Sequence, residues 1–180
     1  MYHLYMAPPE IPPLYPVDGL RNYFRNQWQD VSAAMISVDV LQVRGMALVR
    51  SVFKRRLKDN RQYYTGQLVL PYRDFCYALD VATIPEVVPT ERETTIHELL
   101  SSQAEPSQAG QCSLSWGQDP YSDTVKGEYL ANPSDEETWD RQFTTHGLTV
   151  VRSTLAKIVA TIMATRELRN SVPFSGTTAP

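Results

Sequence analysis

Cysteine is nearly missing from this chain: Cys76 and Cys112 are the two thiols in 180 residues, and they lack CxxC spacing. That excludes a disulfide-stapled scaffold and offers neither a metal knuckle nor a dithiol redox motif. A reduced, intracellular setting fits best, although the two thiols could pair. No run approaches about 18 apolar residues, so neither a transmembrane helix nor any other membrane association is expected. The N-terminal MYHLYMAPPEIPPLYP lacks a basic segment followed by an apolar one and does not read as a signal peptide. Asn132 is followed by proline, which removes that N-x-S as a glycosylation acceptor. Bulk positive charge is also lacking: 17 Lys and Arg stand against 20 Asp and Glu, a net charge of −3, which argues against coating nucleic acid by overall charge.

Catalytic signatures are equally scarce. There is no GxSxG, P-loop, GxGxxG or paired Cys/His cluster. Ile96-His97-Glu98-Leu99-Leu100-Ser101 starts like a zinc-protease helix, but Ser101 stands where the second histidine belongs. His3 and His146 are isolated. The expectation is a protein that is not an enzyme, with no catalytic residue, no metal site and no cofactor.

What is present is an ordinary globular composition, 42% apolar and 21% charged, at a length that suits one domain. Residues 1–17 carry Pro8, Pro9, Pro12, Pro13 and Pro16 between tyrosines and read as an extended arm, either loose or docked through Leu4, Tyr5, Met6, Ile11 and Leu14. Asp18 offers an N-cap to a helix with Leu20, Tyr23, Phe24, Trp28 and Val31 on one stripe. Ala33 to Leu41 continues it or forms a second helix. After Gly45, Met46, Val49, Val52, Phe53 and Leu57 fall on one side of a helix, with Arg50, Lys54, Lys58 and Arg61 on another. Seven of the 17 basic residues lie within positions 44–61, which reads as a solvated face or a surface for a polyanion.

The stretch LVLPYRDFCYALD, Leu68 to Asp80, alternates like two strand arms around Pro71-Tyr72-Arg73-Asp74 and reads as a lone ribbon. Thr90 and Glu93 form a capping-box pattern for a helix over about 91–100. Residues 101–142 turn polar and punctuated, a long loop with sticky aromatics such as Trp116 and Tyr129. Asp135 or Ser134 can cap a short acidic turn, and 148–169 reads as one long apolar helix before a small-residue tail at 170–180. The expected fold is all-α, an antiparallel bundle of four or so helices (residues 18–169) with a small β ribbon.

The ribbon LPYRDF…CYALD resembles the outer-radius ribbon of coat proteins of tobacco mosaic virus and related rod-shaped plant viruses, with length and final-helix character nearer the benyvirus-like branch. Trp28 with Asp30, Gln42-Val43-Arg44 with Leu48-Val49 and Phe53, and Val150-Val151-Arg152-Ser153 resemble further family anchors in the same order. The resemblance spans roughly 20–100 and 143–180. It implies a four-helix-bundle capsid protein that self-assembles as a homo-oligomer into a helical rod around single-stranded RNA, located in the virion and the host cytoplasm. Arg44 and Arg92 match arginines that face RNA, and Arg141 is a third candidate. Arg152 matches a buried arginine paired with a carboxylate at the start of the short third helix, here Glu91 or Glu93. Asp80 matches an interface carboxylate, and Tyr72, Phe75, Tyr77 and Trp28 are expected at contacts between subunits. Competing readings are a bacteriophage head–tail or adaptor subunit, and a helical nucleic-acid-binding regulator using the 44–61 basic face.

Overall fold

The computed structural model describes residues 2–28, 33–103, 117–126 and 129–175. The chain is built on an antiparallel sheet, not on a helical bundle. Its strands are β1 (Tyr2–Tyr5), β2 (Ala33–Val43), β3 (Met46–Arg56), β4 (Arg61–Pro71), β5 (Cys76–Ala82) and β6 (Glu86–Val87), ordered β1-β5-β4-β3-β2, with β6 also paired to β4. A separate two-stranded ribbon joins β7 (Gln118–Asp119) to β8 (Ser122–Lys126). The described helices are short: α1 (Val17–Trp28), α2 (Glu91–Gln103), α3 (Gly147–Thr161) and α4 (Arg166–Asn170), with 3₁₀ turns at Pro133–Asp135 and Glu137–Arg141. This overturns the all-α, tobacco-mosaic-type bundle that the sequence suggested.

The reason lies in residues 33–56. They carry five valines, which suit a pleated surface, and their centre is Arg44-Gly45. Both residues have positive φ, 51° and 81°, and Val43 pairs with Met46 across them. That is a two-residue hairpin of the primed type, whose twist matches the flanking strands. Helical spacing misled because β3 is covered on both faces. Val49 and Phe53 pack with Leu20 and Phe24 of α1, whereas Val52 packs with Leu148, Val151 and Leu155 of α3. A strand buried on both sides loses its two-residue alternation. A spacing of four, as in Arg50 and Lys54, is compatible with a helix turn and with one strand face alike.

The expected ribbon at 68–80 exists as the β4–β5 hairpin, with the Tyr72 N–H donating to the Phe75 carbonyl at 2.9 Å. It lies inside the sheet, not alone. The N-terminal arm is docked: β1 pairs with β5, and Ile11 and Leu14 are buried with α1. The capping box of α2 forms as expected, the Thr90 N–H donating to Glu93 at 2.9 Å. The single helix expected over 148–169 is instead two, broken between Thr161 and Arg166, where Ile162 and Ala164 settle against Met46, Leu48 and Leu70. At the far end Pro173 bridges to Tyr72.

Gly66 of β4 fixes how closely α3 approaches the sheet. A Cβ there would lie 2.5 Å from Val151 Cγ1 and 2.6 Å from Leu155 Cδ1. Gly66→Ala is therefore expected to cost about 1–3 kcal/mol through overpacking, and Gly66→Val more, read as a lower urea midpoint. An unchanged midpoint in both would show that α3 does not sit on β4 as described.

Candidate functional site

At the end of the sheet bearing the β3–β4 turn, α2 and residues 129–141 cover the face of β3 and β4. They meet through a buried polar cluster. Arg92, in the first turn of α2, has a side chain with no solvent exposure. Its Nε donates to the Ser134 carbonyl (2.7 Å), one Nη to Asp140 Oδ1 (2.7 Å) and Thr149 Oγ1 (2.9 Å), and the other to the Glu136 carbonyl (2.8 Å). Four of the five guanidinium N–H groups are thereby placed. Arg152 of α3 reaches the same Asp140 at 3.2 Å and the Asp135 carbonyl at 2.6 Å.

Beside this cluster Lys54 of β3 donates to Asp135 Oδ2 at 2.7 Å, both side chains being about 2–3% exposed. Asp135 Oδ2 also accepts from the Asn132 N–H at 2.9 Å. Gln62 of β4 links three groups: its amide nitrogen donates to Tyr64 Oη (2.7 Å) and Glu93 Oε1 (3.0 Å), and its oxygen accepts from Tyr129 Oη (3.2 Å). Burial pushes the Tyr64 and Tyr129 hydroxyls well above the ordinary phenol range, with Asp135 and Glu93 adding to the effect, so both remain donors at neutral pH.

His146 caps α3. Its Nδ1 accepts from the Leu148 N–H at 3.3 Å, which leaves the hydrogen of the neutral ring on Nε2, 3.3 Å from Thr90 Oγ1. Burial, reinforced by the Arg92 charge, lowers its pKa to about 4.

Lys54, Gln62, Glu93, Tyr129 and Asn132 from this cluster line an open cleft of about 540 Å³. Lys54, Gln62 and Glu93 form its floor and Tyr129 a wall; Arg56 and His97 stand at its exposed rim. The Lys54 ammonium lies 5.5 Å from the Tyr129 ring centroid and the Arg56 guanidinium 5.8 Å from it. Among the described residues Asp135 is the one side-chain hydrogen-bond partner of the Lys54 ammonium, so two of its three N–H groups have no acceptor among them. Among the described residues no group of three His, Cys, Asp or Glu is placed to hold a metal ion.

The residues singled out by sequence fall elsewhere, and apart. Arg44 is exposed at the β2–β3 turn, with Nη2 donating to the Ala160 carbonyl at 3.4 Å. By strand register that is the opposite end of the sheet from the cleft, on the order of 30 Å away along β3. Arg92 is interior, and Arg141 is exposed at the end of the second 3₁₀ turn. Arg152 is half-buried, not fully buried, and Asp140 holds it; Glu91 is exposed, and Glu93 bonds Gln62 and Thr90. Asp80 of β5 accepts from Gln67 at 2.8 Å and lies 3.5 Å from His3. Tyr72 stacks on Phe75 with centroids 4.7 Å apart, and Phe75 meets Tyr77 edge-on. All three pack against Leu48 and Leu70 of the same chain. Trp28 closes α1, and its side chain lies outside the described residues, as do Asp30, Trp116 and Cys112.

Sequence reading missed Gln62, Tyr129 and the pairing of Lys54 with Asp135. The detectable signal was Glu93, already marked by its capping box. No family model matches the chain, and neither the curated proteins nor the solved structures contain a match to it.

Two outcomes test the cluster. Arg92→Met removes the donor to the buried Ser134 carbonyl, to the Glu136 carbonyl and to Asp140, and is expected to cost about 3–5 kcal/mol in denaturant unfolding. For His146 the folded state binds fewer protons than the unfolded one between about pH 6.5 and its lowered value of about 4. Its contribution to stability is therefore complete above pH 6.5 and is lost as the pH falls toward 4. His146→Asn, which retains a capping acceptor, should flatten that part of the stability–pH curve; an unaltered slope would contradict the assignment.

Proposed function

We propose that the protein is a binding module, not a catalyst, and that the cleft above Lys54 receives a small organic anion with an apolar body. The observation that carries this is the Lys54 ammonium: buried, held by one carboxylate, and lining a cleft whose other cation, Arg56, stands at the mouth. A carboxylate or similar head can take the remaining Lys54 N–H groups and meet Arg56, a charge-assisted arrangement stronger than neutral hydrogen bonds. The apolar body would lie along Tyr129, Leu130 and Val88. The volume is within the range of small-molecule sites, which pair an apolar lining with few, convergent polar groups.

The coat-protein expectation drew its RNA path and rod assembly from a four-helix bundle. With an antiparallel sheet in its place, Arg44, Arg92 and Arg141 have no common surface, so the function is read from the cleft. As for membranes, no helix among the described residues is long and apolar enough to cross one.

The test is calorimetric titration of a panel of aromatic and branched monocarboxylates, with matching amides as neutral controls. Saturable binding of a carboxylate over its amide is expected. Arg56→Ala should weaken it about fivefold, the effect of about 1 kcal/mol from one exposed charge, with an unchanged melting temperature. Equal affinity for acid and amide, or no binding at millimolar concentrations, would overturn the reading.

A further inference from the structure

Behind the Lys54–Asp135 pair lies a second cleft, of about 480 Å³, between the β7–β8 ribbon and residues 131–136. We propose that it binds an organic ammonium group. Its walls carry Asp119, Asp123, Asp135 and Glu136 against one cation, Arg152. Three of these five charges are answered within the protein. Arg25 holds Asp119 at 2.8 Å, Lys54 holds Asp135 at 2.7 Å, and Asp140 holds Arg152 at 3.2 Å. Asp123 accepts from the Gln118 amide at 3.0 Å and Glu136 from the Thr138 hydroxyl at 3.5 Å, and no ion pair joins either to a cation among the described residues. Among the described residues the cleft thus keeps two negative charges without an ion-pair partner.

Acidic residues on a surface are commonly just solvated. The distinguishing feature here is Asp135. Its side chain is 3% exposed and its Oδ2 takes both Lys54 and the Asn132 N–H. Its Oδ1 is buried with no hydrogen-bond partner among the described residues, and the residue forms part of the cleft wall. A buried carboxylate oxygen left without a donor is unfavourable; Oδ1 is closed to solvent, so a ligand N–H satisfies it only by displacing the wall that covers it. With no three carboxylates or histidines placed for a metal among the described residues, the complementary cation is one that binds through N–H donors. Ile36, Pro120 and Tyr121 supply apolar wall for a methylene chain behind the ammonium. The site differs from the anion cleft in charge and in its β7–β8 wall, and does not depend on that reading.

The experiment titrates the full chain with 1,4-diaminobutane and, separately, with Nα-acetyl-lysine methylamide. Saturable binding of at least one is expected, weaker at high salt as screening requires. Asp123→Asn and Glu136→Gln, both at exposed positions, should each weaken it about two- to fivefold, while Arg56→Ala leaves it unchanged. Binding of the free diamine alone marks a small-molecule amine site, and binding of the lysine derivative alone marks a site for a partner's lysine; both support the proposal. Absence of saturation with either amine, or equal affinity in the wild type and the Asp123→Asn, Glu136→Gln double variant, would overturn it. Asp135 is kept intact in the test, because replacing it would also strand Lys54.

Discussion

The guanidinium of Arg92 is the constraint on which the functional half of this protein depends. Residues 132–141 form only two short 3₁₀ turns, which leave part of their carbonyl capacity to side-chain donors, and buried carbonyls need partners. Arg92 supplies two of those partners, at Ser134 and Glu136, and Arg152 supplies a third at Asp135. Arg92 starts from the first turn of α2 and ends on Thr149 and Asp140, so one side chain joins α2, the 3₁₀ turns and α3. The interior charges nearby balance: Arg92, Lys54 and Arg152 against Glu93, Asp135 and Asp140. That balance matters because breaking a buried pair leaves an uncompensated charge, whereas the intact set is tolerable.

The sheet supplies the platform that makes such a cluster possible. Because α1 covers one face and α3 the other, polar side chains of β3 and β4 on the α3 side enter a dry space and must be answered there. Toward the middle of the sheet the answer is apolar: Leu148, Val151 and Leu155 pack over Gly66 and Leu68. Toward the β3–β4 turn the helix has ended, and the answer becomes Asp135 for Lys54 and Glu93 for Gln62. The same loop economy protects an edge. Tyr121, from the β7–β8 ribbon, accepts from the Val38 N–H of edge strand β2 at 3.0 Å, and the Arg21 guanidinium stacks over the Tyr121 ring at 3.7 Å. A covered edge is less available for unwanted strand addition.

Local chemistry was legible in the sequence, and global arrangement was not. The α1 stripe, the turn at Pro71–Asp74, the Thr90–Glu93 box and the start of α3 are set by residues within a few positions of one another, and each is present. Residues 33–56 were misread because burial on both faces imitates helical periodicity. Arg44-Gly45, whose positive φ values give the hairpin away, looked like a helix break. The resemblance to rod-virus coats leaned on that misreading. Its ribbon exists, but Tyr72, Phe75 and Tyr77 are used within the chain. The site was hidden for a different reason. Lys54 and Asp135 are 81 positions apart, and Gln62 and Tyr129 are 67 apart; no local pattern couples such residues before the sheet brings them together.

The shared wall between the two clefts has a physical consequence of its own. Asn132 lines both, and the Lys54–Asp135 pair separates them, with the lysine facing one side and the aspartate the other. An anion that draws Lys54 toward its own cleft weakens the hold of Lys54 on Asp135, and so makes Asp135 a better acceptor for a cation behind it. A cation seated against Asp135 frees Lys54 by the same amount, since coupling between two binding equilibria is reciprocal. Opposite charges on the two sides of one buried ion pair should therefore favour each other, whereas like charges would compete. A pair held at 2.7 Å in an interior of low polarisability transmits such effects over a short path. The sign of the coupling follows from the pair itself, before any ligand is named.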